Sequence, residues 1–384
     1  MVRLRAALNR AFRAAGGASG AAVYDLDARQ PLFGLRDGLL RAPASLEKLY
    51  TSVALLRRLG PHARLHTVVL GTGHLGPGGV WHGDLYLRGG GDPTFGDGAF
   101  NRVWNRGAGP TTAQLATQLI SDRIKRVTGR VIGDATLFDD RAGGPSTNFA
   151  PDVPDFGGQL SALTFDHGST LGKLSPAAFA ARQLAMTLRA AGVRANPAPI
   201  AARAPRAARA LASVSSPPLA QLLALMNLPS DDLYAEMLTK QLGVRFGGRG
   251  STQAGARVIA STIGQYGLHP TILDGSGLDR ADRSSPREIV ALLRFVWGTS
   301  IGRTLSSSLP LVGVNGTARR IATAPSVRGR CVAKTGTLDQ ITNLAGYCYT
   351  RGRHVLAFAL FIDGPANENA IGFLSQMVTA IVSY

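Results

Sequence analysis

Among 384 residues there are only two cysteines and five lysines, and no unbroken apolar run approaches the roughly 18 residues a membrane helix needs. So few cysteines exclude a scaffold built from disulfides, and no Cys/His spacing suits a zinc site, so neither a metal nor another cofactor is expected. His62 and His66 stand four apart, but PHARLH lacks the glutamate of a metalloprotease helix. Acidic residues are scarce too, 24 against 42 Lys plus Arg, which leaves a formal net charge of +18. Such a charge attracts polyanions. No zinc-finger spacing, no aromatic-plus-basic RNP pattern and no basic helix with heptads accompanies it, so nucleic acid is not expected, and an anionic wall polymer or a membrane surface is the better partner. Arg and Asn break every apolar stretch of the first twenty residues, leaving no signal-peptide core.

What is present is a chain with 45% apolar content, long enough for a substantial core and for two domains. Residues 20–36 read as a strand hairpin turning at Asp25 to Arg29. After Pro43, Leu46, Leu49, Val53 and Leu56 recur at helical spacing until Gly60 and Pro61 stop the helix. From about 65 to 215 the texture becomes short Val/Leu runs broken by Gly, Pro and Asp, a β-rich module with a helix at about 175–192. An Ala/Pro/Arg linker is expected near ANPAPIAARAPRAARA. Residues 217–300 carry helix-period patterns. The remainder gives strands at about 329–336, 341–350 and 353–362, then a helix with Ile371, Leu374, Val378 and Ile381 on one face. This order predicts an α+β fold whose first and last strands share one antiparallel sheet, formed by residues 1–64 and 216–384, with 65–215 as an inserted module.

Hydrolysing an amide without a metal requires a nucleophile, a base for its proton, an acid for the leaving amine and donors for the oxyanion. Ser45 and Lys48 form the chain's one Ser-x-x-Lys, at a helix start where both fall on the same face. A second of the five lysines stands in Lys334-Thr335-Gly336, opening the strands that follow: a fixed cation, a hydroxyl and a glycine that admits close backbone approach. Between them, in NLPSDDLYAEMLTK, Ser230 and Asp232 head a helix, where Ser230 also suits an N-cap. Ser-x-x-Lys, Ser-Asp-Asn and Lys-Thr-Gly together belong to penicillin-binding proteins and β-lactamases.

With ASLEKLYTS, GDLYLRGGGDPTF, VTGRVIGDATLFD, DGSGLDRADRSSPREIVALL and KTGTLDQITNLAGY, the three motifs span nearly the whole chain, which resembles the S13 serine peptidases, D-Ala-D-Ala carboxypeptidases typified by penicillin-binding protein 4. The resemblance implies a penicillin-binding, serine β-lactamase-like transpeptidase domain, an antiparallel sheet flanked by helices plus a helical subdomain. It also implies an extracytoplasmic carboxypeptidase or endopeptidase that cuts peptidoglycan stem peptides and that β-lactams inhibit covalently. On that resemblance Ser45 forms the acyl-enzyme, Lys48 is its base, Ser230 relays a proton to the leaving D-alanine and Lys334 supports the relay. Thr335 and Thr337 would hold the substrate carboxylate, the backbone N–H groups of Ser45 and Thr337 the oxyanion, and Gly336 would let substrate backbone approach. The DGSG turn would bring Ser276 to the rim as a further substrate contact.

Two departures from the family stand out. Asp232 occupies the position of the expected Asn, removing an amide donor and adding a negative charge beside two lysines, and is counted with the substrate-binding residues. Ser45 and Ser230 stand 185 residues apart, a shorter insertion than is usual in the family. A serine β-lactamase shares two of the motifs, and a wall-binding protein with impaired activity would fit Asp232; both stand as alternatives. Cys331 and Cys348 centre on the turn between two strands, so a hairpin register places them opposite each other, as a disulfide or as two packed thiols.

Overall fold

The computed structural model describes residues 1–151, 157–168 and 172–384. Two compact units emerge: one from Met1–Pro61, Ala220–Ala235 and Gly255–Tyr384, the other from His62–Leu219 and Glu236–Ala254.

In the first unit a five-stranded antiparallel sheet runs in the order Cys331–Leu338, Ile341–Tyr349, Val355–Asp363, Gly20–Asp25, Gln30–Leu35. The expected sharing of one sheet by the first and last strands is thus met, with Gly20 opposite Phe361. Strand Val355–Asp363 is apolar from Val355 to Ile362 because both its faces are covered. Leu356, Phe358, Leu360 and Ile362 enter a core with helices Val2–Ala15 and Asn367–Val382. Helix Pro286–Val296 packs against the same strand. It opens on the expected Ser-Pro start, with Ser285 accepting the Glu288 N–H at 3.2 Å.

The N-terminal helix was not anticipated. Its apolar residues are separated along the chain, yet Leu4, Leu8, Ala11, Phe12 and Ala15 recur at one-turn intervals and are buried along one side. The arginines that interrupt the apolar run fall outside that side. The period, not the run length, was the usable signal.

The second unit holds a seven-stranded mixed sheet in the order His74–Gly76, Val80–His82, Arg126–Asp134, Leu85–Arg88, His66–Gly71, Arg209–Ser215, with Arg194–Ala201 also paired to Arg126–Asp134. Helices Thr112–Ser121 and Pro176–Ala190 bury Leu115, Leu119, Leu184 and Leu188 against it. The expected linker does not exist. Its two ends belong to strands Arg194–Ala201 and Arg209–Ser215, the latter paired with His66–Gly71, and residues 202–208 connect them. Pro197 and Pro199 are tolerated because Arg194–Ala201 pairs with a single neighbour, where a missing N–H breaks no ladder.

Cys331 and Cys348 are opposed in register and joined by a disulfide, with Cα atoms 4.1 Å apart. Phe12, 2% exposed and stacked on Phe33, anchors the N-terminal helix. Phe12→Ala is expected to destabilise the fold by about 3–5 kcal/mol, read from urea unfolding curves.

Candidate active site

Ser45 lies in a tight turn, Ala44–Leu46, which runs into helix Glu47–Leu59. Ala44 has φ of 50°, a left-handed conformation that alanine adopts only when its surroundings impose it. Two contacts impose it. Buried Asn343, from strand Ile341–Tyr349, donates to the carbonyls of Ala42 and Pro43 at 3.2 and 3.0 Å. On the Cys331–Leu338 strand, a Cβ at Gly336 would sit 2.6 Å from the Pro43 carbonyl oxygen, so only glycine lets strand and turn pack this closely.

One turn beyond Ser45, Lys48 is fully buried. Its Nζ meets Ser45 Oγ at 3.0 Å, the Ser276 carbonyl at 2.8 Å and Asp232 Oδ1 at 2.5 Å. The carbonyl and the carboxylate only accept. Two N–H bonds of Lys48 go to these acceptors, which leaves the third position of its nitrogen facing the Ser45 hydroxyl.

The second motif differs from its simplest reading. Asp231, not Ser230, caps helix Asp232–Phe246 by accepting the Tyr234 N–H at 2.9 Å. Ser230 adopts φ of 65° and accepts from Lys334 Nζ at 2.7 Å, while Lys334 also donates to the Thr335 carbonyl at 2.9 Å. Burial, and then the charge of Lys48, push Lys334 well below the usual lysine range, with Asp232 acting in the opposite direction. Lys334 is thereby suited to exchanging a proton with Ser230.

Strand Cys331–Leu338 is an edge strand. Ala333 N–H already bonds outward to Pro310 O at 2.9 Å, and alternation turns the N–H groups of Thr335 and Thr337 to the same side. Beside this edge a cleft of about 380 Å³ is lined by Ser45, Ser230, Asp232, Thr335 and Thr337, joined by Arg319 and Arg320. Thr317 Oγ1 fixes Thr335 Oγ1 at 2.6 Å.

Of the residues singled out from sequence, seven converge here, with Lys48 and Lys334 beneath the cleft and the other five on its surface. Two take other positions. Ser276 does not reach the rim: it is fully buried, and its main-chain carbonyl supports Lys48. Gly336 admits the nucleophile turn. Sequence reasoning missed Asp231, Asn343, Thr317 and the two arginines. Asp231 was discoverable as the second N-cap candidate in Pro-Ser-Asp-Asp.

The pattern of the D-Ala-D-Ala carboxypeptidase 3 (S13) family matches residues 4–177 and 170–381. A carboxypeptidase of Mycobacterium tuberculosis is 29% identical over 379 residues, covering 94% of this chain and 79% of that protein. Among solved structures, penicillin binding protein 4 of Haemophilus influenzae shares the fold with a TM-score of 0.82 at 20% identity, covering 98% of this chain and 99% of the other. The same protein complexed with a β-lactam gives 0.76 at 19% identity, with the same coverage.

Residue 231 is only partly buried as a whole, but its carboxyl turns onto backbone amides, and burial pushes it up to about 7, with the Tyr234 N–H opposing and Asp232 adding to the rise. An acid raised on folding is protonated in the native state while the unfolded chain has already ionised, so stability falls as pH climbs from about 4 to about 7. Asp231→Asn keeps the capping oxygen and removes the titration. Thermal unfolding is expected to show a gain of several degrees at pH 8 that shrinks toward pH 4; equal gains at both would refute the assignment.

Proposed function

We propose that this chain, which belongs to the D-Ala-D-Ala carboxypeptidase 3 (S13) family, is a penicillin-binding serine D-Ala-D-Ala carboxypeptidase acting on peptidoglycan stem peptides through Ser45. One observation carries this reading: Ser45, Lys48, Ser230 and Lys334 form two hydroxyl–amine pairs, at 3.0 and 2.7 Å, beside the same cleft.

In the reaction, the Lys48 lone pair takes the Ser45 proton as Oγ attacks the carbonyl of the penultimate D-alanine. The developing oxyanion is held by the N–H groups of Ser45 and Thr337. Collapse breaks the C–N bond: Ser230 passes its proton to the departing amine, and the proton taken from Ser45 returns from Lys48 to Ser230, with Lys334 supporting the relay, so that Lys48 is neutral again. Water then attacks the ester, its proton going to Lys48 and from there to Ser45 Oγ as the ester C–O bond breaks, which regenerates Ser45. Thr335 and Thr337 take the terminal carboxylate, a role supported by Arg319 and Arg320 in the cleft lining.

Residues 1–64 and 216–384 form the catalytic domain in this reading, and 65–215 the inserted module. The grouping of His62–Leu219 into one compact unit supports it, with Glu236–Ala254 joining that unit. The substrate places its action outside the cytoplasm, and the +18 charge suits an anionic wall polymer or membrane surface as a further partner.

Fluorescent penicillin tests the assignment. Stable labelling lost in a folded Ser45→Ala variant is the expected result. Rapid turnover would indicate a β-lactamase, and an unlabelled wild type an inactive wall-binding protein. Asp232→Asn keeps the acceptor for Lys48, deletes the charge and supplies an amide donor for substrate. Acylation near neutral pH is expected to accelerate about threefold or more; a folded variant slowed about tenfold would show that the carboxylate itself is needed.

A further inference from the structure

Beneath Lys48 lies a group of buried carboxyls that the mechanism above does not use. The turn Asp274–Gly277 packs directly on the nucleophile turn: Gly277 has φ of +82°, and a Cβ there would sit 1.9 Å from the Ala44 carbonyl oxygen. From this turn the Ser276 carbonyl meets Lys48 at 2.8 Å, and the Gly275 carbonyl accepts from Thr51 Oγ1 at 2.9 Å. The turn owes its shape to Asp274. Its Oδ1 accepts the N–H groups of Ser276 and Gly277 at 3.1 and 2.6 Å, and its Oδ2 that of Asp279 at 2.9 Å.

Against Asp274 stands a second acid, Asp282, fully buried. Its Oδ1 accepts the Leu273 N–H at 2.7 Å, and among the described residues no N–H or O–H donor reaches its Oδ2. The neighbour that does face Asp282 is the Asp274 carboxyl, already engaged as an acceptor of three backbone donors. Two carboxyls bond to one another only if one keeps its proton. The amides gathered on Asp274 stabilise it as the anion, so the proton belongs to Asp282. Glu47, also fully buried, adds further negative charge that opposes ionisation of Asp282.

We propose that Asp282 works as a neutral carboxylic acid and is a positioning residue for the general base. By donating to Asp274 it holds the turn whose Ser276 carbonyl fixes one N–H of Lys48, and so aims the Lys48 lone pair at Ser45. Burial, the Asp274 charge and the Glu47 charge push the Asp282 carboxyl up to about 12, in keeping with a proton retained throughout the working range. The proposal rests on Lys48 being the base.

The test measures penicillin acylation of the full chain from pH 6 to 9, separating affinity for the pre-acylation complex from the acylation rate constant. Asp282→Leu removes the donor, and Asp282→Asn restores it: the amide N–H donates to Asp274 and the amide oxygen accepts from Leu273. Asp282→Leu is expected to acylate at least tenfold more slowly with pre-acylation affinity unchanged, and Asp282→Asn to stay within about threefold of wild type at every pH. A folded Asp282→Asn variant slowed tenfold, or an Asp282→Leu variant that matches wild type, overturns the proposal. If Asp282→Leu does not fold, the Asn variant decides alone, since a required carboxylate would leave it slow. Lys48→Ala is measured in parallel: normal acylation there would topple the base assignment itself, whereas loss there together with a slow Asp282→Asn overturns the role of Asp282 only.

Discussion

Removing the Lys48 amine from water costs several kcal/mol unless its polar positions are met. The partners that meet them come from three separate stretches of the chain: Ser45 in the turn before its own helix, Ser276 on a buried turn and Asp232 at the head of another helix. Satisfying one nitrogen therefore fixes three backbone segments at once. The Ser45 hydroxyl is placed by the same requirement. Remove the lysine and the turn, the helix head and the nucleophile lose their common reference point.

Much of this could be read from the residues in order. Ser45, Lys48, Ser230 and Lys334 announce themselves because lysine is rare here, and a lysine repeated at two such motifs is hard to obtain by chance. The strand and helix periods of 20–36, 46–59 and 331–381 were equally legible, since their apolar positions recur at the spacing their packing uses. What stayed hidden depends on which partner a polar residue finds. Asn343 interrupts an apolar strand and gives no local hint that it holds Ala42 and Pro43. Asp282 reads as part of an exposed charged turn in Asp-Arg-Ala-Asp, and only the fold reveals it as buried. Pro and Ala around 195–210 suggested a linker because single-sequence cues cannot distinguish a strand with one neighbour from irregular chain.

The edge position of Cys331–Leu338 follows from the same geometry. An unpaired strand edge is ordinarily a hazard, since it recruits other chains. Here the segment around Pro310 closes its first half, leaving the stretch from Lys334 to Thr337 open beside the cleft. A peptide laid along that stretch would gain main-chain hydrogen bonds whatever its side chains.

The central pairing of Gly20–Asp25 with Val355–Asp363 has a consequence for how such a protein is made. On a ribosome the first strand emerges on the order of tens of seconds before the strand it must lie beside. Throughout that interval the nucleophile helix exists without its sheet, and Lys48 without Ser276 or Asp232. The nascent chain is thus catalytically silent until its late strands arrive.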